Sequence, residues 1–571
     1  MSVPVSSAAQ PGSEPGAPPQ APASSPAERP TPAPAPGAPR AVWAALVALY
    51  VLLFPYHPGL RSPNELCRLW QTRALVEYGT LDINAALRDF GYVGDLSVKD
   101  GKYYPSKAPL LSFAAVPVYA ALRAVGGGHR YAVPEVPLVF FSRLWLTVLP
   151  TLGLLWLVRR YLAAHLSAPV ADALTVTYGL GSLAFSYSLL FMSHQTTAVL
   201  LFAGFYALWR CARGEWRERG YLVAGACAGA TVAAEYTGGL GVLGLVLYAA
   251  LGFFFQPAPL GQRLGRMGRA AGLAMLGALP FLAALMLYHQ AAFGHPLTTG
   301  YKYLNDAAYQ PWHLGGFLGI RTPDPRAFTL SFFSPLRGLF TLAPFLLLAL
   351  PGLRRLSLRR PAAPEARAAG WMTVALLAGY TYFTSSFSYD SWGWTTGPRH
   401  LTGLVPFLLL PAGLWLERQR EAGRAWRLGL AAMLCAASVL TTALATFVNY
   451  IPDDVSAVLG ALVLPLLSTG YLPPGPLAFL GLPPLLTGPL LLALLAAVAG
   501  WLFLALSRVP GARKPAPAAV LTGLATLVLL AAAHHLAARH HDADRNAVRF
   551  LQSVWLTPPG RDVAFWPRPG I

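Results

Sequence analysis

The chain has 571 residues, of which 55% are hydrophobic and 12% charged, with a formal net charge of +19. Soluble proteins carry roughly 25% charged residues, so an assembly of soluble domains is excluded. Large apolar side chains are abundant, which excludes disorder over the whole length. A basic excess would point to nucleic acid in a soluble chain, but here the arginines sit in short clusters between apolar runs, so no nucleic-acid partner is expected. The composition leaves an all-α polytopic membrane protein, since runs near 20 residues match a hydrocarbon layer of about 30 Å. Four scattered cysteines (Cys67, Cys211, Cys227, Cys435) make no CxxC pair and no disulfide framework.

Residues 1–40 are Pro, Ala, Ser and Gly with almost no large apolar side chain, and are expected to form a disordered tail. The first span covers 41–57. Further apolar runs at 138–158, 170–191, 196–209, 221–236, 238–255, 270–288, 336–353, 370–385, 403–416, 428–448, 487–506 and 516–534 bring the count to about thirteen, within a membrane domain of residues 41–535. Basic clusters fall at 159–160, 210–219, 263–269, 354–360, 418–427 and 508–514, each after an even-numbered span. The positive-inside rule puts them, and the N-terminus, in the cytoplasm. Loops 58–137, 289–335, 386–402 and 449–486 then face the periplasm, as does the C-terminal segment 536–571. Gly225 and Gly229 spell GxxxG and predict close helix packing. Gly239, Gly241 and Gly244 spell GxGxxG inside an apolar span with no preceding strand, so no dinucleotide site is expected.

Loop 58–137 is expected to carry amphipathic juxtamembrane helices, and it concentrates the chain's chemistry. Glu65 and Arg68 are spaced to share a helical face, either as an oriented carboxylate able to take a proton or as a plain surface ion pair. The stretch from Asp100 to Pro109 joins a Gly turn, Tyr103, Tyr104 and Lys107, and reads either as a grip on a phosphate or as an interfacial anchor. Asp390, Trp392, Arg399 and His400 lie in a later periplasmic loop, where the guanidinium fork of Arg399 suits phosphate. Glu235 ends a span, where a carboxylate in lipid would cost about 3 kcal/mol, so it is expected to face a cavity or an Arg. The tract His534, His535, His540, His541 and Asp542 has no standard metal spacing, and no metal site is assigned.

The order of these elements resembles a family. Gly94-Asp95-Leu96, the Asp100 to Pro109 stretch, Ser142-Arg143-Leu144, Ser193-His194 and Gly397-Pro398-Arg399-His400-Leu401 look like the GT-C membrane glycosyltransferases. The branch is that of protein O-mannosyltransferases and lipid A aminoarabinose transferases, and uncharacterised bacterial relatives are closer still. The similarity runs over about residues 42–415. It implies inverting transfer of a sugar, hexosyl or pentosyl, from a polyprenyl-phosphate donor to a hydroxyl of a lipid, glycan or protein. The reaction would take place at the periplasmic face of a bacterial inner membrane. It implies Glu65 as base beside Asn64, where the family has an acid, and His194 where some relatives have a second acid. Lys107, Arg399 and Tyr104 would hold the donor phosphate, and Arg68, Asp95, Asp100, Glu235, Asp390, Trp392 and His400 would line the substrate. No cofactor is assigned, and a divalent cation is left open. Two other classes remain: a transporter or flippase for lipid-linked sugars, and a catalytically silent glycan-binding relative.

Overall fold

The computed structural model describes residues 37–53, 62–129, 133–316, 319–358, 363–387, 393–448, 451–471 and 475–556, together with Met1. Over its described residues, each apolar run read from the sequence lies largely on a helix or on a group of short helical segments. Among the described residues, six helices are long and apolar enough to cross a membrane: Glu135–Ala163, Tyr236–Phe254, Leu260–Phe293, Ala425–Thr446, Pro484–Ser507 and Pro517–Ala537. The chain is an all-α polytopic membrane protein.

The remaining runs are not the uniform rods that periodicity suggests. Run 170–191 divides into Ala168–Leu180 and Leu183–Ser188. Run 403–416 enters through 3-10 turns before the helix Leu409–Glu421. Such breaks survive at membrane depth only where neighbours satisfy the freed backbone groups. In run 336–353, which breaks between Leu339–Leu342 and the 3-10 segment Pro344–Leu348, Ser438 Oγ accepts the Phe345 N–H at 3.1 Å and Thr442 Oγ1 donates to the Leu342 carbonyl at 2.9 Å. Both partners sit on Ala425–Thr446, the most enclosed of the six spans, with 78% of its most apolar stretch buried. Leu260–Phe293 and Pro517–Ala537 are only 17% buried and present leucines such as Leu276, Leu287 and Leu529 outward, as lipid-facing helices do.

Close packing at Gly225 and Gly229 is observed, and its partner is Leu260–Phe293. A Cβ on Gly225 would fall 1.8 Å from the Ala274 carbonyl oxygen, and one on Gly229 2.7 Å from that of Ala278. The two backbones touch, and only glycine fits.

The loop after the first helix folds on a core of its own, with Leu66, Leu69, Trp70, Tyr119 and Leu138 at its centre. Its helices include Pro63–Glu77 and Val116–Val125. Between them lies an antiparallel hairpin of strands β1 (Leu96–Lys99) and β2 (Lys102–Pro105), paired Lys99 to Lys102. Asp100 and Gly101 both have positive φ, 51° and 72°. That is the turn an Asp-Gly pair favours between two strands; the Gly turn is the expected one, but it joins strands where the loop was expected to carry only helices.

The described helices run so that their basic clusters lie at one end. Arg159 and Arg160 lie near the C-terminal end of Glu135–Ala163, Arg210 lies at that end of Ser193–Ala212, and Arg263 lies near the start of Leu260–Phe293. Leu260–Phe293 has 34 residues, which at 1.5 Å each is about 50 Å. It ends at Gly294, whose φ of 75° is the left-handed stop that glycine supplies.

Candidate functional site

At the ends of the helices away from the arginine clusters, six separated segments bring their polar side chains together. Residues 64–68 come from the Pro63–Glu77 helix, and 95–107 from the hairpin. Residues 193–194 open the helix Ser193–Ala212, and Glu235 follows Arg219–Ala234. Residues 301–313 and 399–400 complete the set.

The hairpin positions the first charges. Asp95 has a φ of 60°, an uncommon conformation that Asp tolerates better than most residues. Its carbonyl takes the Ser106 N–H at 2.9 Å, closing the hairpin base. The same closure sets Lys107 Nζ 3.2 Å from Asp95 Oδ1. Ser97 Oγ donates to the Gly300 carbonyl at 2.7 Å, which brings the following Tyr301 ring to 5.4 Å from Lys107 Nζ, a cation–π contact. His313 stacks on Tyr301 with ring centres 4.2 Å apart. Burial would raise the Asp95 carboxyl, and Lys107, Arg399 and Arg68 together outweigh it, holding Asp95 below the usual carboxylate range. Burial would also lower Lys107, and Asp95 with Tyr301 keeps it above its ordinary value.

Arg68 does not pair with Glu65 as the spacing suggested. Its Nη1 donates to the Asn64 side chain and carbonyl, and its Nη2 donates to Ser193 Oγ at 3.0 Å. Glu65 is fully buried and pairs instead with Arg143, whose Nη2 lies 2.9 Å from Oε1 and 3.2 Å from Oε2. The Phe191 N–H also donates to Glu65. Glu65 thus joins the Pro63–Glu77 helix, the Glu135–Ala163 helix and the turn leading to His194, with both oxygens accepting from Arg143. A π turn, Leu144–Val148, begins directly after Arg143, an irregularity often found beside functional sites.

Glu235 sits where the chain breaks between two helices. Its backbone is extended, φ −155° and ψ 118°, and the tight turn behind it depends on Gly238, whose Cβ would meet Thr231 Cγ2 at 2.7 Å. Ser193 Oγ donates to Glu235 Oε2 at 2.5 Å, and His194 Nδ1 lies 3.4 Å from the same oxygen. His400 follows, its ring centre 5.2 Å from that of His194 and its Nδ1 3.4 Å from Thr237 Oγ1.

The structure therefore brings together Asn64, Arg68, Asp95, Lys107, His194, Glu235, Arg399 and His400. It draws Tyr104 away, into an aromatic cluster with Tyr288 and Phe293, because alternation along β2 turns that side chain inward. Asp100 stands at the hairpin tip with its side chain 85% exposed, so the expected substrate contact has no support there. Asp390 and Trp392 lie outside the described residues. Tyr301, His313 and the bridging hydroxyl of Ser193 were not singled out from sequence, and only the Ser193-His194 step offered a signal.

Among the described residues no three of His, Cys, Asp or Glu converge as metal ligands, and Asp95 is paired with Lys107 at 3.2 Å.

No family model matches the chain, and no curated protein matches its sequence. Solved structures are similar to it. ArnT from Cupriavidus metallidurans in the apo state has 14% identity and a TM-score of 0.44, over 85% of this chain and 76% of that one. The same protein bound to undecaprenyl phosphate gives 14% and 0.43, over 92% and 88%. The Archaeoglobus fulgidus oligosaccharyltransferase in the apo form gives 12% and 0.39, over 72% and 56%. At such scores the likeness is one of helix path, and the chemistry of the site has to carry the functional reading.

Proposed function

We propose that the chain is a GT-C-type glycosyltransferase of a bacterial plasma membrane. It transfers a sugar, with inversion, from a polyprenyl-phosphate donor to a hydroxyl acceptor at the periplasmic face. The observation that carries this reading is the state of the cations. Arg68 Nε and Arg399 Nε are buried and have no hydrogen-bond partner among the described residues. A buried donor left unsatisfied costs about 1–3 kcal/mol, and an anion seated between these guanidinium groups and Lys107 would remove that cost. Three cations face two carboxylates, Asp95 and Glu235, which leaves one positive charge over for a phosphodiester. As the sugar leaves, the phosphate gains a second charge, and fixed guanidinium and ammonium groups stabilise it without reorganising. Transfer needs no nucleotide, because the leaving group is already a phosphate.

A transporter for lipid-linked sugars fits less well. Transporters typically bind at the midplane between broken repeats, whereas these charges gather at one end of the bundle. A silent glycan-binding relative would share the phosphate cluster and lack turnover.

Donor binding tests the reading. Arg399→Ala and Lys107→Ala should each weaken binding of polyprenyl phosphate to the purified protein. Loss of a charge-assisted bond costs about 1.5–3 kcal/mol, or roughly ten- to a hundred-fold in affinity. Unchanged affinity in both variants would return these side chains to a role as interfacial anchors.

A further inference from the structure

Resting on the glycosyl-transfer reading, we infer that Glu235, not Glu65, is the general base that deprotonates the acceptor. Among the described residues three carboxylates, Glu65, Asp95 and Glu235, are the candidates in or beside the cluster, and their surroundings separate them. Glu65 has no exposed surface and gives both oxygens to Arg143. Asp95 is held by Lys107 at 3.2 Å and lies within the field of two further cations, so it neutralises the phosphate-binding charges and is poorly placed to accept a proton. Glu235 has only Oε2 engaged, by Ser193 and beside His194. Its Oε1 accepts no hydrogen bond among the described residues, and the side chain keeps 11% of its exposure. One oxygen is anchored and the other is free, which is the arrangement a positioned base needs.

The distances suit the reaction. Arg68 Nη2 reaches Ser193 Oγ at 3.0 Å, and Ser193 Oγ reaches Glu235 Oε2 at 2.5 Å. The carboxylate and the nearest cation are thus two hydrogen bonds apart through Ser193, so base and phosphate site are neighbours. With the donor phosphate on Arg68, Lys107 and Arg399, the anomeric carbon would point toward Glu235. Oε1 takes the proton of the acceptor hydroxyl, and that oxygen forms the new bond to the anomeric carbon. The bond from that carbon to the phosphate oxygen breaks, and its electron pair leaves with polyprenyl phosphate, whose added charge falls on the three cations. Ser193 fixes the rotamer of Glu235 and ties it to Arg68, so base and phosphate site are set by one hydroxyl.

The test compares Glu235→Gln, Glu235→Asp and Asp95→Asn with the wild-type protein, using polyprenyl phosphate as binding probe and a labelled polyprenyl-phosphate sugar for transfer. Glu235→Gln should bind the probe as the wild type does and lose about 10²–10⁴-fold in transfer rate. Glu235→Asp, which keeps a carboxylate, should recover part of that rate, and Asp95→Asn, which removes a negative charge beside Lys107, should bind the probe at least as tightly as the wild type. Full transfer by Glu235→Gln would overturn the assignment of the base while leaving the glycosyltransferase reading intact. Lost probe binding in Glu235→Gln with no recovery in Glu235→Asp would also overturn it, marking Glu235 as part of the scaffold. Absence of transfer by the wild-type protein, with its probe binding intact, would instead count against the reading beneath it.

Discussion

Breaking the Glu65–Arg143 pair leaves a charge buried without its ion-pair partner. Removing one member of such a pair typically costs about 3–5 kcal/mol, whereas replacing both with apolar groups of similar volume is often neutral. Glu65→Gln and Arg143→Met should therefore each lower the thermal unfolding midpoint in detergent, and the double change Glu65→Leu with Arg143→Met should recover most of the loss. A Glu65→Gln protein as stable as the wild type would mean that the pair holds nothing together. His313 supplies a pH dependence. Burial, helped by Lys107, pulls its imidazole down to about 4, against about 6.5 in an unfolded chain. The folded state binds fewer protons, so this stability is full above pH 6.5 and is lost as pH falls towards 4, by about 3 kcal/mol at most. In His313→Phe, which keeps the stack on Tyr301, that part of the stability–pH curve should flatten. An unchanged slope between pH 6.5 and 4 would assign the proton uptake to another group.

Between elements, the contact of Arg219–Ala234 with Leu260–Phe293 sets where Glu235 stands. Gly225→Ala would drive a methyl group to 1.8 Å from the Ala274 carbonyl oxygen, while Gly272→Ala, on the facing helix, meets nothing within 4 Å. The first should lower the unfolding midpoint and, by displacing the helix end, the transfer rate. The second should leave both unharmed and gain up to about 1 kcal/mol from helix propensity. Equal stability of the two variants would show that the helices can part at no cost. This packing was legible beforehand, because small residues four apart have a single physical reading in an apolar helix. The Gly turn in the Asp100 to Pro109 stretch was legible too, but the two strands it joins were not, since the loop was read at helical period. The partner of Glu65 was out of reach of local rules. Arg143 lies 78 residues away in sequence, and a spacing of three to Arg68 was the competing signal. Tyr301 and His313 enter the site through a backbone pairing of residues 97 and 304, which no pattern in either segment announces.

For the whole molecule, charge was the most informative feature. The basic clusters gather at one end of the helices and the polar cluster at the other, as the positive-inside count implies. The positions of Gly214 and Gly423, at positive φ in turns with open space around them, suit reporter insertion. Reporters there should be cytoplasmic and one at Asp95 external; the reverse result would put the site on the wrong face for a polyprenyl-phosphate donor delivered outside. What the chain does with its lipid is decided by following the donor's phosphate bond. The purified protein, in vesicles with an isotopically labelled polyprenyl-phosphate sugar and an extract of envelope acceptors, should release free polyprenyl phosphate in step with label appearing on an acceptor. Intact labelled donor crossing the bilayer, or staying bound with its phosphate bond unbroken, would contradict glycosyl transfer.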